Sequence, residues 1–296
     1  MTAERVGEQT VGAEAGRARS AGLELRGTLM VHVPTRGEPA ALKIAVEIAK
    51  RSGASILGVG AEAFEPALFA GMEYTTHSLM EAWLKALSER LARAKVDFER
   101  ETAGLAQSSS WVSEEEYPQD ALARHACGAD WIVAVRPQDA DTPSTAPSVA
   151  DLILRAGVPV LLAPTNAKPL EARRIVVGWS PAREASRAIS DAMPLLIAAD
   201  QVVVAAVTAD PQSEDDQAAF SEVCRRLEHR GCKVVRERHA NSRASVASVL
   251  CKAAEGHGAD LLVVGGYGHS RLREWILGGV TRDLVAACPQ YVLFSH

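Results

Sequence analysis

Residues 260–281 read D-L-L-V-V-G-G-Y-G-H-S-R-L-R-E-W-I-L-G-G-V-T. The apolar run 261–264 predicts a buried strand, which Gly265-Gly266-Tyr267-Gly268 brings to an abrupt end. A second pair, Gly278-Gly279, opens a helical pattern that runs to about Ala287. Glycines after a strand let the backbone take positive φ and let another group approach closely. A helix N-terminus preceded by glycines offers free N–H groups and the positive end of its dipole, which suits a phosphate. His269, Arg271 and Arg273 lie between the two glycine groups and make the loop cationic. The stretch reads as a strand-loop-helix able to hold a phosphate or a nucleotide.

Two familiar phosphate loops are excluded. The Walker pattern ends in Gly-Lys-Ser/Thr, and no lysine lies in this stretch. The dinucleotide pattern G-x-G-x-x-G needs glycine where Arg271 stands, and a βαβ unit after it; only one helical pattern and one short apolar run remain. The spacing resembles instead that of the universal stress protein family, whose ATP-binding members carry G-x2-G-x9-G-(Ser/Thr) after the fourth strand. Gly265, Gly268 and Gly278 fall at those spacings, and Gly279 stands where the pattern has Ser or Thr. The family also sets an aspartate at the end of its first strand, near the nucleoside, where residues 178–180 here read Gly-Trp-Ser. The resemblance implies a cofactor-binding set of Gly265, Gly268, His269, Arg271, Gly278, Gly279, Val280, Thr281, Ser180 and Val207. In it, Ser180 replaces the aspartate as a weak hydrogen-bonding group and Val207 offers backbone groups to the adenine. Thr281 partly substitutes for the hydroxyl missing at Gly279. Trp179 either stacks on the base or packs in the core. The implied ligand is ATP or AMP, with Mg2+ accompanying ATP.

Size and charge bound the remaining possibilities. A chain of 296 residues, 47% hydrophobic and 23% charged, is long enough for two domains. A formal net charge of −5 argues against a nucleic-acid binder driven by phosphate neutralisation. No apolar run approaches the roughly 18–20 residues of a membrane span. The N-terminal stretch mixes Arg with Glu among small residues, unlike a signal or transit peptide, and reads as a disordered tail over 1–25. Cys127, Cys224, Cys232, Cys251 and Cys288 show no C-x-x-C or Cys/His ligand spacing and read as reduced thiols packed in a cytoplasmic protein. No metal set and no catalytic set is evident. His269 and Ser270 are adjacent on one loop, an arrangement that rarely orients a nucleophile and its base.

An internal repeat gives the domain organisation. Gly128-Ala129-Asp130 and Gly258-Ala259-Asp260 each precede an apolar run, and each aspartate stands 29 positions before a proline, Pro159 or Pro289. Strands are expected near 28–34, 55–61, 108–115, 130–136 and 159–163, then near 173–179, 201–208, 232–239, 260–265 and 290–294. Helices are expected near 38–52, 77–103, 119–127 and 147–156, then near 183–198, 213–230, 243–257 and 278–287. Short Val/Ile/Leu runs alternating with helices indicate an α/β fold: two tandem doubly wound, Rossmann-like domains of the adenine nucleotide α hydrolase kind, each with a mainly parallel five-stranded sheet. The first domain spans 26–165, the second 171–296, with Pro164 and Pro169 in the linker.

The halves differ at the glycine loop. With the repeat aligned, Gly265 corresponds to Val135, Gly268 to Gln138, Gly278 to Ser148 and Gly279 to Val149. Prolines and aspartates between 136 and 143 remove N–H donors and repel phosphate, so the first half is read as degenerate. Met72, Met80 and Trp83, in the longer helical stretch of the first half, read as packing.

The resemblance implies a cytoplasmic stress-response module, not an established enzyme, that acts through unknown protein partners with no nucleic acid or membrane involved. Weak or absent adenine-nucleotide binding in the second half is the leading reading. An ATP/AMP sensor and a slow ATPase or other nucleotide-handling enzyme are the alternatives. The family pairs domains through their last strands, which the two halves can do within one chain at 159–163 and 290–294; a further homodimer stays open.

Overall fold

Along the run 261–264 the side chains alternate between two cores. Leu261 and Val263 pack into one apolar cluster, Leu262 and Val264 into another, so the strand is buried on both faces. The same alternation holds for Ile175 and Val177 against Val176, and for Val202 and Val204 against Val203. Residues 23, 25–64, 77–136, 145–208, 214–240, 244–267 and 278–296 are described by the computed structural model.

The first half runs β1 (Thr28–His32), α1 (Ala40–Ser52), β2 (Ser55–Ala61), α2 (His77–Thr102), β3 (Ser109–Glu114), α3 (Pro118–His125), β4 (Trp131–Val135), α4 (Val149–Arg155) and β5 (Val160–Ala163). The second runs β6 (Arg174–Trp179), α5 (Arg183–Asp191), α6 (Met193–Ala198), β7 (Gln201–Thr208), α7 (Glu214–His229), β8 (Val234–Ala240), α8 (Val246–His257), β9 (Leu261–Gly265), α9 (Gly279–Ala287) and β10 (Tyr291–Ser295). The α/β class and the tandem, mainly parallel arrangement expected from the repeat are what the chain adopts.

One difference concerns the helix expected over 183–198, which divides at Ala192. Pro194 cannot donate to the carbonyl one turn back and its ring crowds that turn, so the chain stops α5 and restarts as α6. Leu23 and Leu25 are buried in the core, while residues 1–22 and 24, and with them most of the expected tail, lie outside the described residues. Met72 and the first-half loop 137–144 lie outside them too.

All ten described strands form one sheet, in the order β3-β2-β1-β4-β5-β10-β9-β6-β7-β8. Within each half the strands are parallel. The halves join where β5 and β10 pair antiparallel, with Leu161 opposite Leu293. The last strands therefore pair within the chain, and the two apolar clusters run through both halves, one on each face of the sheet. Residues 164–173 are held by both sides. Tyr291 Oη donates to the Lys168 carbonyl at 2.8 Å, and Arg51 Nη1 donates to the Leu170 carbonyl at 2.5 Å. Among the described residues no helix is long and apolar enough to cross a membrane.

The repeated Gly-Ala-Asp has a structural purpose. Asp130 Oδ2 accepts the Thr28 N–H at 2.8 Å, where β1 begins. Asp260 Oδ2 accepts the N–H groups of Glu171 (2.6 Å) and Ala172 (3.1 Å), just ahead of β6. In each half the aspartate before the fourth strand holds the chain entering the first, which lies beside it in the sheet.

Candidate functional site

Strand order reverses between β6 and β9, and ligands of open α/β sheets bind beyond the carboxyl ends of the strands at such a point. The register sets Gly178 opposite both Ala205 and Val264. Ser180, Val207 and Gly265 therefore come together at the carboxyl ends of β6, β7 and β9. Ser180 is exposed there and Val207 half-buried. Trp179 is buried and meets Phe220 edge-on at 5.8 Å, so of its two readings the structure takes packing.

Gly265 is required by a close approach. A Cβ there would stand 2.7 Å from the Ala185 nitrogen and 2.7 Å from the Glu184 carbonyl carbon. These are backbone atoms in the first turn of α5, which lies over the end of β9. The chain then passes through Tyr267, which adopts φ 49° without being glycine. Its N–H donates to Thr281 Oγ1 at 3.4 Å, and Thr281 is only 4% exposed. The Thr281 hydroxyl thus ties the start of the glycine turn to α9.

Gly278 and Gly279 are different. An added Cβ at Gly279 would meet nothing within 4 Å, and one at Gly278 only the Tyr267 ring at 3.9 Å. Gly278 is the N-cap of α9 and makes no side-chain cap, and the first turn carries no acidic residue. Gly278, Gly279 and Val280 are exposed. Among the described residues, no side chain caps the first N–H groups of α9 or the positive end of its dipole. Gly268, His269 and Arg271 lie outside the described residues.

The equivalent positions in the first half are built otherwise. Ser148, in the place of Gly278, caps α4 by accepting the Asp151 N–H at 3.3 Å, and Asp151 stands in its first turn. Beyond β2, the Glu62 carboxylate is buried under a fork from Arg90, with Nε to Oε2 at 3.0 Å and Nη2 to Oε1 at 2.8 Å. Thr35 Oγ1 donates to Oε2, and Arg36 Nη2 reaches Oε1 at 3.3 Å. Burial alone would raise the Glu62 carboxyl, but Arg90, Thr35 and Arg36 outweigh it and hold it below the usual carboxylate range. This end of the first-half sheet holds an internal ion pair that the sequence reading missed. Glu62 and Arg90 are 28 positions apart, with no local pattern to join them.

His239 Nε2 and His257 Nε2 flank Glu237, at 3.1 and 2.6 Å. Hydrogen bonding from His257 first, then from His239, holds the Glu237 carboxyl below its ordinary range. The imidazole nitrogens are engaged by that carboxylate. Among the described residues no group of three His, Cys, Asp or Glu is arranged to hold a metal.

Comparison with known proteins agrees with this architecture. Residues 171–296 match the model of the universal stress protein family. The whole chain superposes on a universal stress protein from Archaeoglobus fulgidus with a TM-score of 0.68 at 12% identity, covering 90% of this chain and 97% of that one. A protein from Pseudomonas aeruginosa gives a TM-score of 0.55 at 20% identity, covering 91% of this chain and 92% of that one. No curated protein sequence matches the chain. At these identities the structural likeness establishes the fold, and it extends over both halves. The family match thus makes residues 171–296 a universal stress protein domain, and residues 26–165 repeat its fold.

Proposed function

We propose that this chain is a stress-response regulatory module whose second half takes the phosphates of an adenine nucleotide weakly, and that it acts through protein partners rather than by catalysis. The observation that carries this reading is the open, uncapped N-terminus of α9 at the switch point of the sheet. Helix N–H groups that no described side chain caps suit an anion. Weak affinity follows from what is missing. Gly279 supplies no hydroxyl, Thr281 spends its hydroxyl on Tyr267, and no carboxylate follows β6 to take the ribose. The residues present fit a phosphate better than a nucleoside. A magnesium ion would enter with ATP, held by the phosphates.

Calorimetric titration with ATP and AMP, with and without Mg2+, tests the reading. The parent is expected to bind near the millimolar range, about −4 kcal/mol. Gly279→Ser restores a hydroxyl in open space and is expected to tighten binding about tenfold, the worth of one hydrogen bond of about 1.4 kcal/mol. Gly268→Asp places a negative charge in the loop and is expected to abolish binding. Absence of saturable heat from both the parent and Gly279→Ser up to about 10 mM, weaker than about −3 kcal/mol, would remove the nucleotide from the proposal and leave the partner role alone.

A further inference from the structure

Cys251, on α8, and Cys288, which follows the last residue of α9, stand 37 positions apart in sequence and bring their sulfurs to 3.1 Å. The Cys251 thiol donates to Cys288 Sγ, and Cys288 in turn reaches Gln290 Oε1 at 3.2 Å. A third group comes from the other half of the molecule. Arg136, just past β4, donates Nε to the Val285 carbonyl at 2.9 Å and Nη2 to the Cys288 carbonyl. The two thiols therefore lie at the end of α9, beside a guanidinium that crosses the seam between the halves.

The surroundings make the sulfurs unequal. Donation from Cys251, aided by Gln290 and Arg136 against the effect of burial, draws the Cys288 thiol below its ordinary range. The Cys251 thiol is pushed up by its bond to Cys288 and by burial. Cys288 is 1% exposed, whereas Cys251 is half-buried and gives a small molecule a way in. The other cysteines lack this arrangement. Cys224 and Cys232 are buried with thiols raised by burial, and Cys127 is exposed with its sulfur directed at the Arg124 carbonyl.

We propose that Cys251 and Cys288 form a peroxide-reactive dithiol that closes to a disulfide and staples α8 to the end of α9. The Cys288 thiolate attacks one oxygen of hydrogen peroxide; the S–O bond forms, the O–O bond breaks, and the departing hydroxide takes a proton to become water. The Cys251 sulfur then attacks the Cys288 sulfenic sulfur. The S–S bond forms, the S–O bond breaks, and the leaving hydroxide carries off the Cys251 proton as a second water. Two thiols and one peroxide become one disulfide and two waters, with two electrons passing to the peroxide. The sulfurs need to approach by about 1 Å to reach bonding distance. Because α9 carries Arg136 contacts at one end and the glycine-flanked N-terminus at the other, the staple fixes the helix that links the seam to the nucleotide end. The dithiol stands apart from the nucleotide reading and survives its failure.

The test uses the full chain, reduced and then exposed to stoichiometric hydrogen peroxide at neutral pH, alkylated and digested for mass spectrometry. The expected product is a peptide pair linked 251 to 288 and lighter by two hydrogens. It should persist in Cys127→Ser, be lost in Cys251→Ser and Cys288→Ser, and revert with dithiothreitol. The unfolding temperature of the parent should rise on oxidation and fall back on reduction, with no rise in either serine variant. Dimedone should label Cys288 in the Cys251→Ser variant. Oxidation confined to Cys127, or Cys251 and Cys288 both recovered alkylated after peroxide, would overturn the proposal. A dimedone label found elsewhere would overturn the assignment of Cys288 as the attacking sulfur.

Discussion

Gly266, the second glycine of the turn after β9, lies directly under Ile153 of the first half: a Cβ at Gly266 would stand 2.5 Å from the Ile153 Cγ2 methyl. The Gly266 N–H also donates to the Ser295 carbonyl at 2.7 Å, and its carbonyl meets His296 Nδ1 at 3.0 Å. A residue whose position in a glycine-rich loop suggests a ligand is thus a contact between the two halves. Gly266→Ala is expected to cost about 1–3 kcal/mol by overpacking. Combined with Ile153→Ala, which removes the methyl, it should cost less, with a coupling of about 0.5–3 kcal/mol in a double-mutant cycle. Denaturant unfolding of the four proteins measures it, and additive effects would mean that the halves do not meet here.

Gly265 and Gly279 should respond oppositely to the same change. Gly265→Ala drives a methyl into backbone atoms of α5, which cannot swing aside as a side chain can, and is expected to destabilise by about 2 kcal/mol or more. Gly279→Ala meets nothing and replaces glycine inside a helix, so stability should rise by about 0.5–1 kcal/mol. Thermal unfolding of both variants separates them. Equal losses would show that Gly279 also faces packed atoms.

Glu62 gives the first half an acid-sensitive anchor. Its carboxyl titrates lower in the folded chain than its ordinary value of 4.5, so the stabilisation is complete above that pH and fades as pH falls through the folded value. Glu62→Gln leaves the Arg90 guanidinium facing a neutral amide in a site where the glutamate side chain is 4% exposed. The expected loss at pH 7 is about 3 kcal/mol, as for the breaking of a buried pair. Unfolding curves of parent and variant should converge as the pH falls through the folded value, on the acid side of 4.5. A difference that stayed constant with pH would assign the loss to shape instead of charge.

Asp260 holds a strained residue. Ala172, whose N–H it accepts, has φ 50°, in the region that glycine takes without penalty. Asp260→Ala is expected to cost about 1–3 kcal/mol, since two backbone N–H groups lose their acceptor. Ala172→Gly in that background should recover part of the loss by relieving the strain. Chemical denaturation of the single and double variants checks both steps.

How much of this was legible in the sequence depends on the distance over which each interaction acts. The alternation of Leu261 to Val264 between two cores lies in a local pattern and the aspartates of the two Gly-Ala-Asp copies lie in the repeat, and the strands and helices follow closely from patterns of that kind. Pro194 is the local signal for the break between α5 and α6, within an apolar pattern that otherwise reads as one continuous helix. Gly265 and Gly278 were read together as one motif, yet one is filled by α5 and the other stands open, because only the folded chain brings Ala185 to β9.

By itself, then, the sequence determined the fold class and the duplication, since periodicity and repetition are properties of neighbours along the chain; the pairing of the last strands was implied only by the family resemblance. Tertiary structure alone decided that Ile153 rests on Gly266, that Thr281 serves Tyr267, that Glu62 lies under Arg90 and that Cys251 meets Cys288. Each joins residues at least 14 positions apart through contacts of a few ångströms, and the closeness of such pairs arises only when the sheet sets their elements side by side.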